Sequence, residues 1–306
     1  MKKVFIDGSA GTTGLRIRER LAGRRDLSLV VLPEELRKEQ SARADALNSC
    51  DVAFLCLPDA AAVEAVGLVE NPATVVIDTS TAHRTAEGWE YGFPELSGRR
   101  GRIAAARRIA NPGCHASGFI ALVEPLVRAG IIASDAPLAA FSLTGFSGGG
   151  KKMIADYAEK NYVSGRQYAL GQSHKHLPEM VKVCGLARAP VFSPVIVPHF
   201  SGMETSVLVS GEYVRGGVAA AAACFAEYYS SGGLVAFRDC AELGAILASD
   251  ALSGRDDMVV TVHGNDERVV LTALFDNLGK GASGAAIQNM NLAIGAREDE
   301  GLVRES

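Results

Sequence analysis

Lys3-Val4-Phe5-Ile6-Asp7-Gly8-Ser9-Ala10-Gly11-Thr12-Thr13-Gly14-Leu15 is the stretch that decides the fold of the first part of the chain. An apolar strand, Lys3–Ile6, ends in Asp7-Gly8. Two further glycines follow at three-residue spacing, and a helical pattern runs from Thr13 to Leu21. Glycines so placed allow a tight turn, let the backbone approach a pyrophosphate, and permit close packing of helix on strand. The helix N-terminus adds free N–H groups and a partial positive charge for phosphates. The alternative is a glycine-rich turn that holds no ligand.

The segments around this stretch repeat its rhythm. Strands are predicted at Leu27–Leu32, ending at Pro33, at Val52–Leu57, ending at Pro58, and at Val75–Ile77, closed by Asp78. Helical patterns at Ala42–Leu47 and Ala60–Val69 lie between them. Continuous apolar strands alternating with helices predict a parallel sheet covered on both faces, wound in the right-handed sense. After Cys114 the pattern changes. A long helix, Ala116 to Ala129, carries Pro125, which predicts a kink. Longer β-branched runs follow at Ala139–Thr144, Val191–Val197, Thr205–Tyr213, Val259–His263 and Arg268–Phe275, with an alanine-rich helix at Val218–Tyr229. These predict a mixed or antiparallel sheet. The expectation is an α/β chain: a doubly wound, Rossmann-type dinucleotide-binding domain over residues 1–114, then a second, α+β domain over 115–284 for catalysis, substrate and oligomerisation. A last segment over 285–306, helical at Ala285–Ile294, is expected to pack back on the first domain.

Composition excludes several functions. With 306 residues, 48% hydrophobic and 22% charged, the chain is an ordinary globular protein. Its net charge of −4 argues against a nucleic-acid or anionic-membrane partner. No apolar run reaches the ~18 residues of a membrane span. The N-terminus meets charge and glycine too early for a signal peptide, so a cytoplasmic location is expected. The six cysteines are dispersed, without a Cys-x-x-Cys pair, which predicts reduced thiols and no structural metal.

Asn111-Pro112-Gly113-Cys114-His115 is the most informative chemical segment. Pro and Gly force a turn directly before the long helix and so place Cys114 near its N-terminus, where the dipole favours the nucleophilic thiolate. A buried cysteine that merely begins a helix is the alternative. Among the histidines, His174 and His176 of Ser173-His174-Lys175-His176-Leu177-Pro178-Glu179 share one face of an extended segment and suit an acid/base role. His115 reads as a residue that orients the turn. Gly145-Phe146-Ser147-Gly148-Gly149-Gly150-Lys151-Lys152 nearly spells a triphosphatase phosphate loop, but Lys152 stands where Ser or Thr must hold magnesium. Arg84, just beyond a strand's carboxyl end, is placed to grip an anionic substrate, with Lys151, Lys152 and Lys175 as further candidates and a solvated surface charge as the alternative for each. Glu34 stands where an acid would meet an NAD ribose, yet Arg37, Lys38 and Arg43 beside it suit a 2′-phosphate, so cofactor choice stays open.

Taken together, these segments resemble the N-acetyl-gamma-glutamyl-phosphate reductases, specifically their short-chain branch. The likeness runs along nearly the whole chain. It is carried by Gly8–Gly14, Asp78-Thr79-Ser80-Thr81-Ala82-His83-Arg84, Tyr91-Gly92-Phe93-Pro94-Glu95-Leu96 and Asn111–Cys114. It continues through Gly145–Gly148, His174–Glu179, Leu278-Gly279-Lys280-Gly281-Ala282-Ser283-Gly284 and Gln288-Asn289-Met290-Asn291. The resemblance implies NADPH-dependent reduction of an acyl phosphate to an aldehyde through a cysteine thioester, in arginine biosynthesis. It implies Cys114 as nucleophile and His176, in preference to His174, as acid/base. Gly8, Ser9, Ala10, Gly11, Thr12, Thr13, Gly14, Ser80, Gly281, Ser283, Gln288 and Asn289 would then serve the NADP cofactor. Arg84, Ser147 and Gly148 would serve the small-molecule acyl-phosphate substrate, without a metal, in a homodimer or homotetramer. Aspartate-semialdehyde dehydrogenase, or a related phosphorylating aldehyde dehydrogenase, is the nearest rival. A cofactor-independent cysteine hydrolase or acyltransferase and a non-enzymatic dinucleotide sensor are the others.

Overall fold

The computed structural model describes residues 1–304, and the chain divides into two compact units. The first contains residues 1–112 and 282–302. Its elements are β1 (Lys2–Asp7), α1 (Thr12–Leu21), β2 (Leu27–Val30), α2 (Gln40–Ser49), β3 (Val52–Leu55), α3 (Asp59–Gly67), β4 (Val75–Asp78), β5 (Glu90–Tyr91), α4 (Arg99–Ala105) and β6 (Arg108–Ala110). The six strands lie in the order β2-β1-β3-β4-β6-β5 and every pairing is parallel. Successive side chains feed opposite faces. Val4, Ile6, Val52, Phe54, Val75 and Ile77 pack with Ile17 and Leu21 of α1 and with Ala286, Ile287 and Met290. Phe5, Ala53, Leu55 and Val76 pack on the other face with Ala46, Leu47 and Ala65. Covering both faces is what keeps strands such as Val52–Leu55 apolar at every position.

The second unit contains residues 113–281 together with 303 and 304. It comprises α5 (Cys114–Arg128), β7 (Ala139–Gly145), α6 (Gly150–Lys160), β8 (Arg166–Gln167), α7 (Leu177–Cys184), β9 (Val191–Val197) and β10 (Met203–Ser210). It continues with α8 (Gly217–Tyr228), β11 (Val235–Phe237), α9 (Cys240–Leu243), β12 (Met258–Asn265) and β13 (Arg268–Phe275). The sheet order is β11-β12-β13-β10-β7-β9-β8. The β11–β12 and β7–β9 pairs are parallel and the remaining pairs antiparallel, which makes the sheet mixed.

Several boundaries differ from the sequence expectation by a few residues. The strand expected through Tyr213 stops at Ser210, because a Cβ on Gly211 would run into the Asp266 carbonyl and residues 211–213 turn there. The long helix starts earlier, at Cys114, and continues through Pro125 to Arg128. Proline has no N–H for the Ala121 carbonyl, and the Tyr229 hydroxyl donates to that carbonyl instead at 2.7 Å. The last helix, α10 (Gly284–Ile294), covers the expected Ala285–Ile294 stretch. Gly295, at φ 72°, ends it in a left-handed cap. Turns fill the chain from there to residue 301, and residues 305 and 306 lie outside the described residues. Arg24 grips Asp26 with two bonds of 2.6 and 2.7 Å and donates to Asn291 Oδ1 at 3.0 Å, tying the α1–β2 corner to α10.

Candidate active site

In the first unit β2 lies on one side of β1 and β3 on the other, so the carboxyl ends of β1 and β3 form the reversal point at which open α/β sheets bind ligands. The glycine loop sits there, and its three glycines have separate tasks. Gly8 has φ +83°, and a Cβ on it would collide with the Cys56 carbonyl beyond β3. A Cβ on Gly14 would stand 2.6 Å from the Gly8 carbonyl oxygen, so glycine lets α1 pack on the strand. At Gly11, the N-cap of α1, a Cβ would meet no atom nearer than the Gly8 carbonyl oxygen at 3.5 Å, which leaves the approach to the first turn open. The N–H groups of that turn have no intrahelical acceptor and the turn holds no acid. The Thr12 hydroxyl is buried without a hydrogen-bond partner. A pyrophosphate oxygen is the kind of acceptor this seat lacks, so these residues fit the phosphates of a dinucleotide.

A cavity of about 360 Å³ extends from this loop, lined by Asp7, Gly8, Ser9 and Ala10 and, past β2, by Glu34, Arg37 and Lys38. The three cations singled out near Glu34 separate here. Arg43 is buried and directs Nε and Nη2 to Asp7 Oδ2 at 3.1 and 3.0 Å, so it is committed inside the unit. Burial pushes the Asp7 carboxyl above its ordinary range, against the pull of that guanidinium. Arg37 pairs with Glu34 at 2.5 Å, whose side chain is 80% exposed. Lys38 and Arg18 also line the cavity, so its outer end carries more positive than negative charge.

Several expected ligand residues are engaged with protein groups. Ser80 donates N–H and Oγ–H to the fully buried Asp78 at 2.9 and 2.7 Å, and His83 Nδ1 lies 2.6 Å from the same carboxylate. Arg84, expected on a substrate anion, directs Nε to the Asn111 carbonyl at 2.9 Å and Nη2 to the Thr79 carbonyl at 3.1 Å. It clamps the end of β4 to the residue after β6. Gln288 is fully buried and donates to Glu95 and Glu298, both at 2.8 Å. Asn289 donates to the Gly92 carbonyl and to Asn111 Oδ1, and its own Oδ1 is buried without a partner. Ser283 is fully buried at the start of α10.

In the second unit Cys114 is the first residue of α5, half-buried, with Gly113 as N-cap and no acid in the first turn. Glu179, buried on α7, accepts the Gly113 N–H at 3.1 Å and fixes the residue before the thiol. Gly281 packs directly on Cys114, since a Cβ there would lie 2.9 Å from the Cys114 Cβ. Three other thiols are of a different kind. Burial raises Cys50 to about 11 and Cys56 to about 12, and pushes Cys184 well up, which leaves them inert.

The His-Lys-His segment leads into α7 beside His115. The His174 and His176 rings stand 4.6 Å apart, and His115 lies 5.3 Å from the first and 5.8 Å from the second. The backbone N–H of His176 donates to His174 Nδ1 at 3.1 Å, which leaves the His174 proton on Nε2. His176 is buried at the N-cap of α7. His115 does more than orient the turn: its Nδ1 is 2.8 Å from Ser142 Oγ and its Nε2 is 2.6 Å from the Tyr168 hydroxyl. Burial holds this imidazole at about 3, with His174 adding to the effect, so it is neutral at pH 7. Burial likewise pushes the Tyr168 phenol up, and the charge of nearby Cys114 adds to it.

Tyr168 and Ser142 escaped the sequence reading because no spacing links them to Cys114. Glu179 lay inside a segment already singled out, three residues beyond His176. Of the expected substrate residues, Ser147 is buried with its hydroxyl accepting from Asn277 Nδ2 at 3.1 Å, while Gly148 is exposed in the turn before α6. Among the described residues no cluster of His, Cys, Asp or Glu could hold a metal, and no helix is long and apolar enough to cross a membrane.

Comparison with known proteins gives a consistent outcome. Residues 3–105 match the family described as semialdehyde dehydrogenase, NAD binding domain, and residues 114–277 match semialdehyde dehydrogenase, dimerisation domain. Similar curated proteins are N-acetyl-gamma-glutamyl-phosphate reductases. The protein from Burkholderia cenocepacia is 45% identical over 96% of this chain and 97% of its own. One from Pseudomonas putida is 43% identical over 97% and 98%, and one from Brucella ovis 45% over 96% and 99%. Among solved structures, Vibrio cholerae aspartate semialdehyde dehydrogenase II has a TM-score of 0.73 at 17% identity, covering 96% of this chain and 98% of its own. The Candida albicans enzyme with NADP has a TM-score of 0.68 at 17% identity, covering 96% and 99%. Likeness at that identity concerns the fold alone.

Proposed function

The chain belongs to the N-acetyl-gamma-glutamyl-phosphate reductases, and we propose that it converts N-acetyl-L-glutamyl 5-phosphate to N-acetyl-L-glutamate 5-semialdehyde and phosphate, with NADPH, through a thioester on Cys114. The observation that carries this reading is the seat of Cys114: first in α5, held through Gly113 by Glu179, and followed directly by a histidine that touches the His-Lys-His segment.

The Cys114 thiolate attacks the acyl carbon. A C–S bond forms, the bond to the phosphate oxygen breaks, and phosphate leaves. The α5 dipole favours the charged sulfur before attack. When bound, the reduced nicotinamide supplies the hydride that turns the thioester into a thiohemiacetal oxyanion. His176 donates a proton to that oxygen as its charge develops and takes it back as the C–S bond breaks and the aldehyde leaves. His174 is the poorer candidate, because its Nδ1 already accepts the His176 N–H and its one proton sits on Nε2. Its role is to hold the start of α7. Arg84 serves by fixing the chain at Asn111, and Gly281 by leaving room at the sulfur.

For the cofactor, the cradle at Gly8–Gly14 with the unpartnered Thr12 hydroxyl holds the pyrophosphate, and Lys38, Arg37 and Arg18 favour a 2′-phosphate over a bare ribose. Glu34 opposes this less than its position suggests, since Arg37 neutralises it. A homodimer uses the sheet face opposite α5, where Phe141 is 37% and Leu208 47% exposed in the single chain.

The test is phosphate-dependent reduction of NADP with N-acetylglutamate semialdehyde, run beside aspartate semialdehyde. Faster turnover of the aspartate compound would overturn the substrate assignment. Absence of NADP(H) binding by fluorescence titration would favour the cofactor-free hydrolase.

A further inference from the structure

The edge strand β8 sorts three consecutive side chains between the two faces of the second sheet. Tyr168 continues its pairing, with its N–H donating to the Pro194 carbonyl at 3.1 Å. The Tyr168 hydroxyl lies 2.6 Å from Nε2 of His115, the second residue of α5, so this side chain projects to the face that α5 covers. Successive side chains of a strand alternate, and Arg166, two residues earlier, shares that face. Gln167 between them points to the other one, where its Nε2–H donates to Ser193 Oγ at 2.8 Å.

Arg166 begins a row that crosses five strands. Arg166, Ile196, Thr144, Met203 and Phe275 are successive register partners on β8, β9, β7, β10 and β13. The far end of this row lies beside the thiol: a Cβ on Gly281 would stand 3.3 Å from the Phe275 ring and 2.9 Å from the Cys114 Cβ. Arg166 and the sulfur therefore occupy opposite ends of one row on one face, whose Cα positions span about 19 Å at ~4.8 Å per strand. An extended arginine, an ion pair and the four-bond chain from acyl carbon to α-carboxylate cover a span of that order.

The Arg166 guanidinium is held in place without being used up. Its Cζ lies 3.9 Å from the centroid of the Tyr162 ring. Tyr162 stands edge-on to Tyr157 at 5.2 Å, and Tyr157 stacks at 4.5 Å on Phe146, the residue after β7. This shelf of rings orders a long, exposed side chain. Among the described residues the guanidinium makes no hydrogen bond or ion pair. Stacking occupies its flat face and leaves the N–H fork for a planar anion. Arg84 and Arg43, by contrast, already meet protein acceptors. We propose that Arg166 grips the α-carboxylate of the substrate while Cys114 attacks the acyl carbon at the other end. This rests on the reading of N-acetyl-L-glutamyl 5-phosphate as the substrate. Its phosphate leaves from the carbon that the sulfur attacks and so stays near Cys114, which makes the carboxylate the anion for the far end of the row.

The test is phosphate-dependent reduction of NADP by the full-length enzyme with two aldehydes. One is N-acetylglutamate semialdehyde, and the other is 4-acetamidobutanal, the same molecule with hydrogen in place of the carboxylate. Arg166→Ala is expected to lower kcat/KM for the first by about 10- to 100-fold, mostly through KM, the range for losing charge-assisted hydrogen bonds. The same variant should handle the second within about threefold of wild type, since uniform binding of a missing group cannot be lost. Arg166→Lys keeps the charge, loses the fork, and should fall between the two on the carboxylated aldehyde. Equal losses on both aldehydes would reveal a structural role, and unchanged kinetics in Arg166→Ala a surface cation; either result overturns the proposal. Failure of the substrate reading shows separately, as wild-type enzyme that prefers aspartate semialdehyde to N-acetylglutamate semialdehyde.

Discussion

Gly281 lies so close to Cys114 that a β-carbon on it would stand 2.9 Å from the cysteine's own. Nothing in the covalent sequence joins these residues, 167 positions apart by subtraction of their numbers. Gly281→Ala forces Cys114 or the 279–283 turn to move, and overpacking of this kind costs about 1–3 kcal/mol. Turnover is expected to fall by about tenfold or more, since sub-ångström misplacement of a nucleophile is expensive in rate. Nucleotide affinity should stay within a few-fold. Steady-state kinetics and a binding titration on one sample check both.

Cys114→Ser is expected to abolish reduction while leaving NADPH binding within a few-fold. His176→Ala should cost about 10² or more in turnover, the range of a general acid–base group. His174→Ala should cost less, because its Nδ1 accepts the N–H of His176. Equal or greater loss in His174→Ala would reverse the two roles.

Cofactor preference should respond to charge at the outer end of the cavity. Lys38→Ala is expected to raise the Kd for NADPH roughly tenfold and leave that for NADH nearly unchanged, as for loss of one charge-assisted bond. Parallel titrations with the two nucleotides decide this. Equal weakening of both would mean that Lys38 does not meet the 2′-phosphate.

Tyr229→Phe should destabilise the protein by about 1–2 kcal/mol, because the Ala121 carbonyl that Pro125 cannot serve loses its donor inside the fold. Denaturant unfolding measures it. A change within a few tenths would mean that water takes over the carbonyl.

His115 gives a pH dependence of known sign. It is neutral in the folded protein down to about 3, whereas the unfolded chain protonates near the ordinary 6.5. Below that value the unfolded state binds the extra proton, so stability falls as pH drops from 6.5 toward 3, by up to about 1.4 kcal/mol per unit from this group. A His115→Phe variant should lose that part of the slope in unfolding experiments between pH 4 and 6.5.

The path from sequence to site was uneven. Gly8, Gly11 and Gly14 could be read from spacing because a strand–turn–helix unit is local, and its backbone demands fall on consecutive residues. The sheet of the first unit followed for the same reason: strands buried on both faces are apolar throughout. The two-residue strands β5 and β8 were missed because they are too short to show an alternation, and α4 because Arg99–Ala105 buries only Ile103 and so carries no apolar stripe. Arg84 looked like an anion grip from its place after β4. Only the fold shows that two of its donors meet the Thr79 and Asn111 carbonyls, because those acceptors are backbone and leave no mark in composition. Arg43 likewise reads from the sequence as a cation suited to a 2′-phosphate, and only the fold shows Asp7 beside it.

By itself, the sequence determined the main strands and helices of the first sheet, the change after Cys114 to a sheet of another kind, the glycine cradle, and a cysteine at the mouth of a long helix. All of these depend on residues close together in the chain, where periodicity and turn chemistry act. The tertiary structure alone decided which groups meet. It set Gly281 on Cys114, Glu179 on Gly113, Tyr229 on the carbonyl freed by Pro125, and Ser142 and Tyr168 at the two nitrogens of His115. The physical reason is that a hydrogen bond or a close packing contact acts over about 3 Å of space and is indifferent to how many residues separate its partners.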